Sequence, residues 1–269
     1  PSLKGEFSEK IAIIGGGPAG LSCAFYLAEK GYKPTVFEKN QKAGGMLVYG
    51  IPSFKLEKDV VQAEIDIIKE MGVEIRTGVE VGRDITLDEL RAQGYQAFYI
   101  AIGCQGGRLP GIPGQNADGV MTAVDFLRAA GEDNTYAVSG KTVVVGGGNV
   151  AMDAARTALR LGAEVHVVYR RSEEELPARK EEVHHAKEEG IIFDLLTNPV
   201  EILADENGWV KGIKCVRMEL GEPDASGRRR PVVVEGSEFE MDVDTVIMSL
   251  GTSPNPLISS TTIGLDVNR

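Results

Sequence analysis

Three glycines and a glutamate near the start of the chain have the types and spacing of a dinucleotide site. Gly15, Gly17 and Gly20 form a G-x-G-x-x-G pattern, and Glu38 follows Gly20 by 18 residues. In such a pattern the first glycine permits a tight turn, the second lets a pyrophosphate approach the backbone, and the third lets a helix pack on a strand. A carboxylate at the later position can accept hydrogen bonds from both hydroxyls of an adenosine ribose. The predicted site also takes in the adjoining residues Pro18, Ala19 and Lys39.

A second set of residues repeats the pattern but ends in positive charge. Gly146, Gly148 and Ala151 occupy the three fingerprint positions, and Arg170, 19 residues beyond Ala151, stands where the first set has its glutamate. Arg171 follows directly. An arginine accepts no hydrogen bonds, but its planar guanidinium matches a phosphate, so we predict that this site binds NADP(H), with its 2′-phosphate, rather than NAD(H). The adjoining predicted site residues are Asn149 and Val150.

Each pattern requires a strand before it and a helix after it. Residues 10–14, "KIAII", predict a strand, a helical pattern then runs to Gly31, and "KPTVFEK" predicts a second strand that ends at Glu38. The same order recurs about 131 residues later, with a strand at 141–145, a helix to about Leu161 and a strand that ends near Tyr169. An internal repeat of this kind implies two nucleotide sites, and the first, with its glutamate and three glycines, suits FAD.

The rest of the chain predicts further α/β structure. Between the repeats we expect a helix near 56–71, a strand near 73–76, a short helix near 87–93 and a strand in "AFYIAIG". The segment "GGRLPGIPG", residues 106–114, predicts a crossover between domains. After the second repeat we expect a β-rich segment with a long hairpin over 221–242, and then a buried strand in "VDTVIMSLG".

Composition excludes several classes of protein. With 29 basic and 40 acidic side chains the formal charge is −11, which argues against nucleic-acid binding. No apolar run approaches the roughly 20 residues that span a bilayer, and "PSLKGEFSEK" lacks the apolar core of a signal peptide, so we predict a cytoplasmic protein without a membrane partner. The three cysteines are far apart and form no C-x-x-C, so they predict neither a redox dithiol nor a metal site.

The sequence resembles the NADPH-dependent glutamate synthase small-subunit group of FAD/NAD(P)-binding, pyridine nucleotide-disulphide oxidoreductase-like flavoproteins. That group includes the flavoprotein subunits of ferredoxin:NADP oxidoreductases and sulfide dehydrogenases. The resemblance covers nearly the whole chain and rests on "GGGPAGLSCAFYLAEKGY", "AGGMLVYGIPSFKLEKDVV", "GVEIRTGVEVGRDITLDEL", "GGGNVAMDAARTALRLGA", "VYRRSEEELPARKEEVHHAKEEG" and "LGEPDASGRRRPV". It implies FAD at the first fingerprint and NADPH at the second.

The resemblance also implies a segment beside the flavin. The residues that match the group's pattern are Gly45, Met46, Leu47, Gly50, Ile51 and Pro52. This stretch mixes glycines that permit close backbone approach with apolar residues able to pack on a flat ring; an ordinary glycine-rich loop is the alternative. The strand end "AIG" resembles the group's segment beside FAD, which adds Ala101 and Gly103.

We therefore predict an α/β protein with two Rossmann-like dinucleotide-binding domains, in which an NADPH domain is inserted into an FAD domain. The expected bounds are 1–108 for the first part of the FAD domain, 109–250 for the NADPH domain and 251–269 for the return. Members of the group usually begin with a cysteine-rich region that carries iron–sulfur ligands and end with a segment that closes the flavin site. Neither is present in these 269 residues, so we expect a fragment of a longer protein.

The resemblance implies an oxidoreductase that moves a hydride between NADPH and FAD and passes electrons to iron–sulfur centres in the parent or a partner subunit. A glutamate synthase small subunit fits best, and a ferredoxin:NADP oxidoreductase or sulfide dehydrogenase subunit is the alternative within the class. A nucleotide-binding module or sensor without turnover is the alternative from another class. We predict no catalytic side chain, because the reactive atoms belong to the cofactors. The absence of a cysteine pair disfavours a disulfide reductase.

Three other groups of residues leave alternatives open. Asp153 and Arg156, on the helix after the second fingerprint, either touch the cofactor or serve packing. The loop arginines 228–230 suit an anion, but solvated turn residues are the preferred interpretation. We expect His184 and His185 to lie on a solvated helix face, since they lack the spacing of a zinc helix.

Overall fold

The computed structural model describes residues 5–133, 135–223, 225 and 227–268. Contacts divide the chain into two compact units. One unit comprises the described residues up to Gly106 together with those from Ser253 onward, and the other is Gly107–Thr252. Asp224 and Ser226 of the predicted hairpin, and residues 1–4 and 269 at the ends of the predicted domains, lie outside the described residues.

The first unit is built on a four-stranded parallel sheet in the order β3-β2-β1-β4. Its strands are β1 (Lys10–Ile14), β2 (Thr35–Glu38), β3 (Glu74–Thr77) and β4 (Tyr95–Ile100). Its helices are α1 (Pro18–Lys30), α2 (Met46–Tyr49), α3 (Lys58–Glu70), α4 (Leu87–Ala92) and α8 (Leu257–Thr261). The apolar runs of β1 and β2 are buried because the parallel sheet has a hydrophobic core on each face.

The second unit holds a five-stranded parallel sheet and a smaller antiparallel sheet. The parallel order is β6-β14-β7-β8-β9, and in the antiparallel sheet β11 lies between β10 and β12 and also pairs with β13. The strands of the parallel sheet are β6 (Val120–Thr122), β7 (Lys141–Val145), β8 (Glu164–Tyr169), β9 (Ile192–Leu195) and β14 (Thr245–Met248). Those of the antiparallel sheet are β10 (Thr197–Ala204), β11 (Val210–Pro223), β12 (Arg229–Val233) and β13 (Phe239–Asp242). The helices are α5 (Ala123–Glu132), α6 (Asn149–Arg160) and α7 (Lys180–Glu188). The remaining described elements are a short 3-10 helix (Glu173–Glu175) and two short strands, β5 (Gly106–Gly107) and β15 (Thr252–Ser253).

The strands and helices predicted for both repeats are confirmed, as are the long hairpin of β11 and β12 and the buried strand β14. Three helices, α2, α5 and α8, were not predicted. His184 and His185 are exposed on α7, as expected. Within the described part of the chain, no helix is long and apolar enough to cross a membrane.

Helices α6 and α7 are joined by a network of arginines and carboxylates. Arg156 and Arg160 of α6 both donate to Glu189, the residue directly after α7, with nitrogen–oxygen distances of 2.8 and 2.7 Å. Hydrogen bonds from Arg160 and then Arg156 lower the pKa of the Glu189 carboxyl from its usual 4.5 to about 2. The ionised carboxylate therefore stabilises the folded state.

Replacing Glu189 with glutamine should expose this pH dependence. Because the folded pKa is depressed, the stabilisation is complete above pH 4.5 and is lost as the pH falls towards 2. We expect the variant to have a free energy of unfolding about 2 kcal/mol lower at neutral pH, with the difference shrinking steadily below pH ~4.5. Urea unfolding at a series of pH values measures this difference. Glu181→Gln, at an exposed position of α7, serves as the control; a Glu189→Gln difference that stays constant on acidification would contradict the prediction.

Candidate dinucleotide sites

The first glycine-rich turn joins β1 to α1. Gly15 has a φ of +108°, and a Cβ there would lie 2.4 Å from the carbonyl oxygen of Ala101, at the end of β4. A Cβ on Gly20 would lie 1.9 Å from the carbonyl oxygen of Gly15. The fold thus requires both of these glycines, because only glycine lets the turn and α1 approach the sheet so closely.

Glu38 lies beneath this turn and is only 4% exposed. Its Oε2 accepts from the backbone N–H of Gly16 at 2.8 Å, and its Oε1 accepts from the backbone and side-chain nitrogens of Asn40 at 2.7 and 2.8 Å. A carboxylate has about four acceptor positions; here one bond holds the glycine-rich turn and two hold Asn40, which follows β2. Glu38 therefore organises the protein backbone, with acceptor capacity remaining on Oε2; its contact with a ribose stays a prediction. Sequence reasoning did not find Asn40.

The predicted flavin segment begins directly beside the turn. Gly44 donates its N–H to the carbonyl of Gly16 at 2.7 Å, and a Cβ on Gly45, whose φ is +54°, would lie 2.8 Å from the Cα of Gly17. Residues 46–49 form the single turn of α2, a helix that the sequence analysis does not predict. The two segments are thus held together at the carboxyl end of β1.

Lys58, the first residue of α3, holds the predicted flavin segment through hydrogen bonds to its backbone. Its Nζ donates to the carbonyl of Leu47 at 2.9 Å and to the carbonyl of Ile51. Burial lowers the pKa of the Lys58 ammonium group. No local pattern in the sequence indicates this role. Of the other predicted residues, Met46 and Pro52 are half-buried and Gly50 is buried, whereas Pro18, Ala19, Lys39 and Gly103 are exposed.

The second glycine-rich turn joins β7 to α6. Gly146 has a φ of +142°, and a Cβ there would lie 2.3 Å from the carbonyl oxygen of Ser249, so the fold requires glycine. A Cβ on Gly148 would meet no atom of the described chain within 4 Å. Ala151 is fully buried in the core. The fold itself therefore makes no demand for glycine at 148, where space lies open in front of the backbone.

A cavity of about 820 Å³ opens at this turn, where the carboxyl ends of β7, β8 and β14 meet. This is the place where open parallel sheets bind ligands. Helix α6 has Gly148 at its N-cap and no side-chain cap, so its first N–H groups remain for an anion. Residues that line the cavity include Gly146, Gly148, Asn149, Val150, Arg170, Arg171, Thr197, Asn198, Arg228 and Ser249.

Two predicted arginines lie at this cavity together with the glycine turn. Arg170 is exposed, whereas Arg171 is 8% exposed and donates its Nε to the carbonyl of Arg229 at 2.8 Å. Arg228 lines the same cavity, although sequence reasoning preferred a solvated turn for it. None of the described lining residues is acidic. One end of the cavity is therefore cationic in a chain whose formal charge is −11.

The segment that follows Arg171 is hydrogen-bonded to the second glycine-rich turn and the start of α6. The side-chain Oδ1 of Asn149 accepts from the N–H of Arg179 at 2.9 Å, and the carbonyl of Gly147 accepts from the N–H of Ala178 at 3.0 Å. Asp153 and Arg156 are buried and do not line the cavity. The salt bridges of Arg156 to Glu182 and Glu189 favour the packing alternative for this pair.

Both turns fit a bound dinucleotide. At the second, open space at Gly148 and an uncapped helix end suit a pyrophosphate, and the cavity volume falls within the roughly 300–1,000 Å³ common for ligand sites. At the first, a Cβ on Gly17 would come no closer than 3.7 Å to another residue, and α1 also starts without a side-chain cap.

Two parallel sheets that each end in such a turn are typical of the NAD(P)-dependent flavoprotein oxidoreductases. The chain belongs to the pyridine nucleotide-disulphide oxidoreductase family, whose model matches residues 9–269. The predicted α/β class with two Rossmann-like domains is confirmed, and so is the resemblance to the glutamate synthase small-subunit group.

Curated relatives show how varied this family is. The chain is 50% identical over 90% of its length to the NADP(+)-dependent formate dehydrogenase subunit beta of Moorella thermoacetica, and 42% identical over 95% to the glutamate synthase [NADPH] small chain of Escherichia coli. It spans only 35% and 57% of those two proteins. FprA of Mycobacterium tuberculosis, solved in complex with NADPH, shares the fold with a TM-score of 0.77 at 21% identity, over 91% of this chain and 71% of FprA.

Proposed function

We propose that this chain binds NADPH in the second unit and FAD in the first, as part of a flavoprotein oxidoreductase. The observation that carries the choice of NADPH is the presence of Arg170 and Arg171 on the cavity that Gly148 also lines. A dinucleotide whose pyrophosphate lies at the glycine turn extends its adenosine towards the end of β8. There a 2′-phosphate meets guanidinium groups instead of a carboxylate.

The bound cofactors supply the hydride transfer itself. The chain contributes binding and orientation: backbone N–H groups of α6 hold the pyrophosphate, and the arginines after β8 hold the 2′-phosphate. At the first turn, Glu38 fixes the backbone and presents an acceptor to the adenosine ribose of FAD. Lys58 keeps the flavin segment in place through two carbonyl groups.

We further infer that electrons continue to iron–sulfur centres on a partner subunit or domain, as in a glutamate synthase small chain. The 42% identity with the Escherichia coli glutamate synthase small chain, over 95% of this chain, supports that assignment. A second candidate has a specific observation in its favour. The higher identity of 50% with a formate dehydrogenase subunit beta favours a complex in which electrons flow towards NADP⁺.

Rapid mixing tests the core of this proposal. The chain, supplemented with FAD and kept anaerobic, is mixed with NADPH or NADH while the flavin absorbance band is followed. We expect NADPH to bleach the band, and to do so faster than NADH at equal concentration. A band that neither nucleotide changes would contradict the proposal and favour a non-catalytic module.

Neighbouring genes separate the glutamate synthase candidate from the formate dehydrogenase candidate, since the first requires an amidotransferase subunit and the second a formate dehydrogenase catalytic subunit.

A further inference from the structure

We propose that Arg228 is a third arginine of the 2′-phosphate site, delivered by the hairpin of β11 and β12. This inference rests on the proposed binding of NADPH in the second unit. It assigns nucleotide selectivity to a residue far from the fingerprint in sequence, and it reverses the preferred sequence interpretation of the loop arginines.

Arg228 lies next to the two strand-end arginines. It immediately precedes β12, is half-buried, and lines the same cavity as Arg170 and Arg171. Its Nη2 donates to the hydroxyl of Tyr169 at 3.0 Å and to the carbonyl of Glu175 at 3.2 Å. Tyr169 is the last residue of β8 and directly precedes Arg170. The hairpin thus brings a guanidinium to the strand end where the adenosine 2′ position is expected.

Neighbouring contacts hold the hairpin in this place. Arg171 donates to the carbonyl of Arg229 at 2.8 Å. The Arg229 side chain donates to Glu175 at 2.6 Å and to Glu174 at 3.1 Å. Hydrogen bonds from Ser172 and Arg229 lower the pKa of the Glu175 carboxyl, so it stays ionised and paired. Arg229 therefore engages the two nearby acids.

The resulting charge arrangement suits a phosphate monoester. Such a group carries close to two negative charges and three terminal oxygens at neutral pH. Arg170 and Arg171 reach it from the strand end, and Arg228 reaches it from the hairpin, so guanidiniums approach from two segments of the chain. The Tyr169 hydroxyl accepts from Arg228 and donates to the Glu175 carbonyl at 2.8 Å, which makes it a positioning residue.

Adenosine 2′,5′-bisphosphate and AMP are the probes that isolate this contact, because they differ only in the 2′-phosphate. We expect Arg228→Gln to weaken the bisphosphate about ten- to hundred-fold by calorimetric titration and to leave AMP unchanged, since the lost bonds join two charged groups. Arg228→Lys, which keeps the charge but loses the planar fork, should lose less. Tyr169→Phe should also lose less, and only for the bisphosphate.

Arg230→Gln is the matched control, since Arg230 is exposed on β12, the strand that follows Arg228, and does not line the cavity. It should change neither affinity. If Arg228 served only to brace the hairpin, its replacement would weaken both probes equally or neither, and either result overturns the inference. Failure of the proposed NADPH site looks different: the unaltered chain would then bind both probes alike. If circular dichroism shows that Arg228→Gln does not fold, the affinities of Arg228→Lys and Tyr169→Phe for the two probes test the same contact.

Discussion

Replacing Arg170 and Arg171 together with glutamine is expected to weaken NADPH binding about ten- to hundred-fold while NADH binding changes little. Hydrogen bonds to charged groups contribute roughly 1.5–3 kcal/mol, and only NADPH carries the phosphate that we propose these side chains hold. Titration of the chain with each nucleotide, followed by intrinsic fluorescence or calorimetry, measures the two affinities. The ratio between them is the informative quantity, because it cancels general damage to the cavity.

Arg170→Gln alone provides the cleaner comparison. Arg170 is exposed, whereas Arg171 is buried and also donates to the carbonyl of Arg229. The double variant therefore removes a structural contact as well as a ligand contact, and its thermal midpoint is measured alongside. Equal weakening of NADPH and NADH by the single variant would show that the strand-end arginine does not bind the 2′-phosphate.

Gly148→Ala should leave the fold intact and weaken both nicotinamide nucleotides by the same factor. A Cβ at this position meets no atom of the described chain within 4 Å, so the protein alone can accommodate it. The same methyl group would occupy the space that a pyrophosphate needs beside the backbone. Crowding of this kind costs about 1–3 kcal/mol, or roughly five- to 150-fold in affinity. Titrations with NADPH and NADH at equal salt concentration measure it.

Two further glycine variants make this result specific. Gly131→Ala, near the end of α5, also meets nothing within 4 Å and does not line the cavity, so it should leave binding unchanged. Gly17→Ala should lower the FAD content of the purified chain without affecting NADPH. Loss of NADPH with Gly17→Ala and of FAD with Gly148→Ala would mean that the two sites are assigned in reverse.

Much of the fold was predictable because its signals are local. The apolar runs before Gly15 and Gly146, the glycines themselves and the helical patterns after them all lie within about 30 residues of sequence. Helix α2 was missed because one turn of four residues between glycines carries no periodicity. Helix α5 offered a weak signal: Thr122 accepts from the N–H of Asp125, a capping pattern readable in the sequence.

The candidate sites were predictable only where their residues share one segment. The glycines and the strand-end arginines belong to a single βαβ unit, so spacing alone brought them together. Arg228 contacts Tyr169 across 59 positions, and Lys58 binds carbonyl groups that any sequence would supply. The pairing of Asn40 with Glu38 is close in sequence, but a side chain that serves another side chain follows no spacing rule. Tertiary contact decides the roles of Arg228 and Lys58.

The contacts between the β8 strand end and the hairpin bear on how nucleotide preference can be redesigned. An acidic residue introduced at 170 to favour NADH would lie beside Arg171 and Arg228. Paired with those guanidiniums, its carboxylate would be unavailable to ribose hydroxyls. A single exchange at the strand end would therefore yield a protein suited to neither nucleotide. On the proposed assignment, we expect retargeting to require coordinated replacement in both segments, so that libraries that vary only the strand end return poor binders.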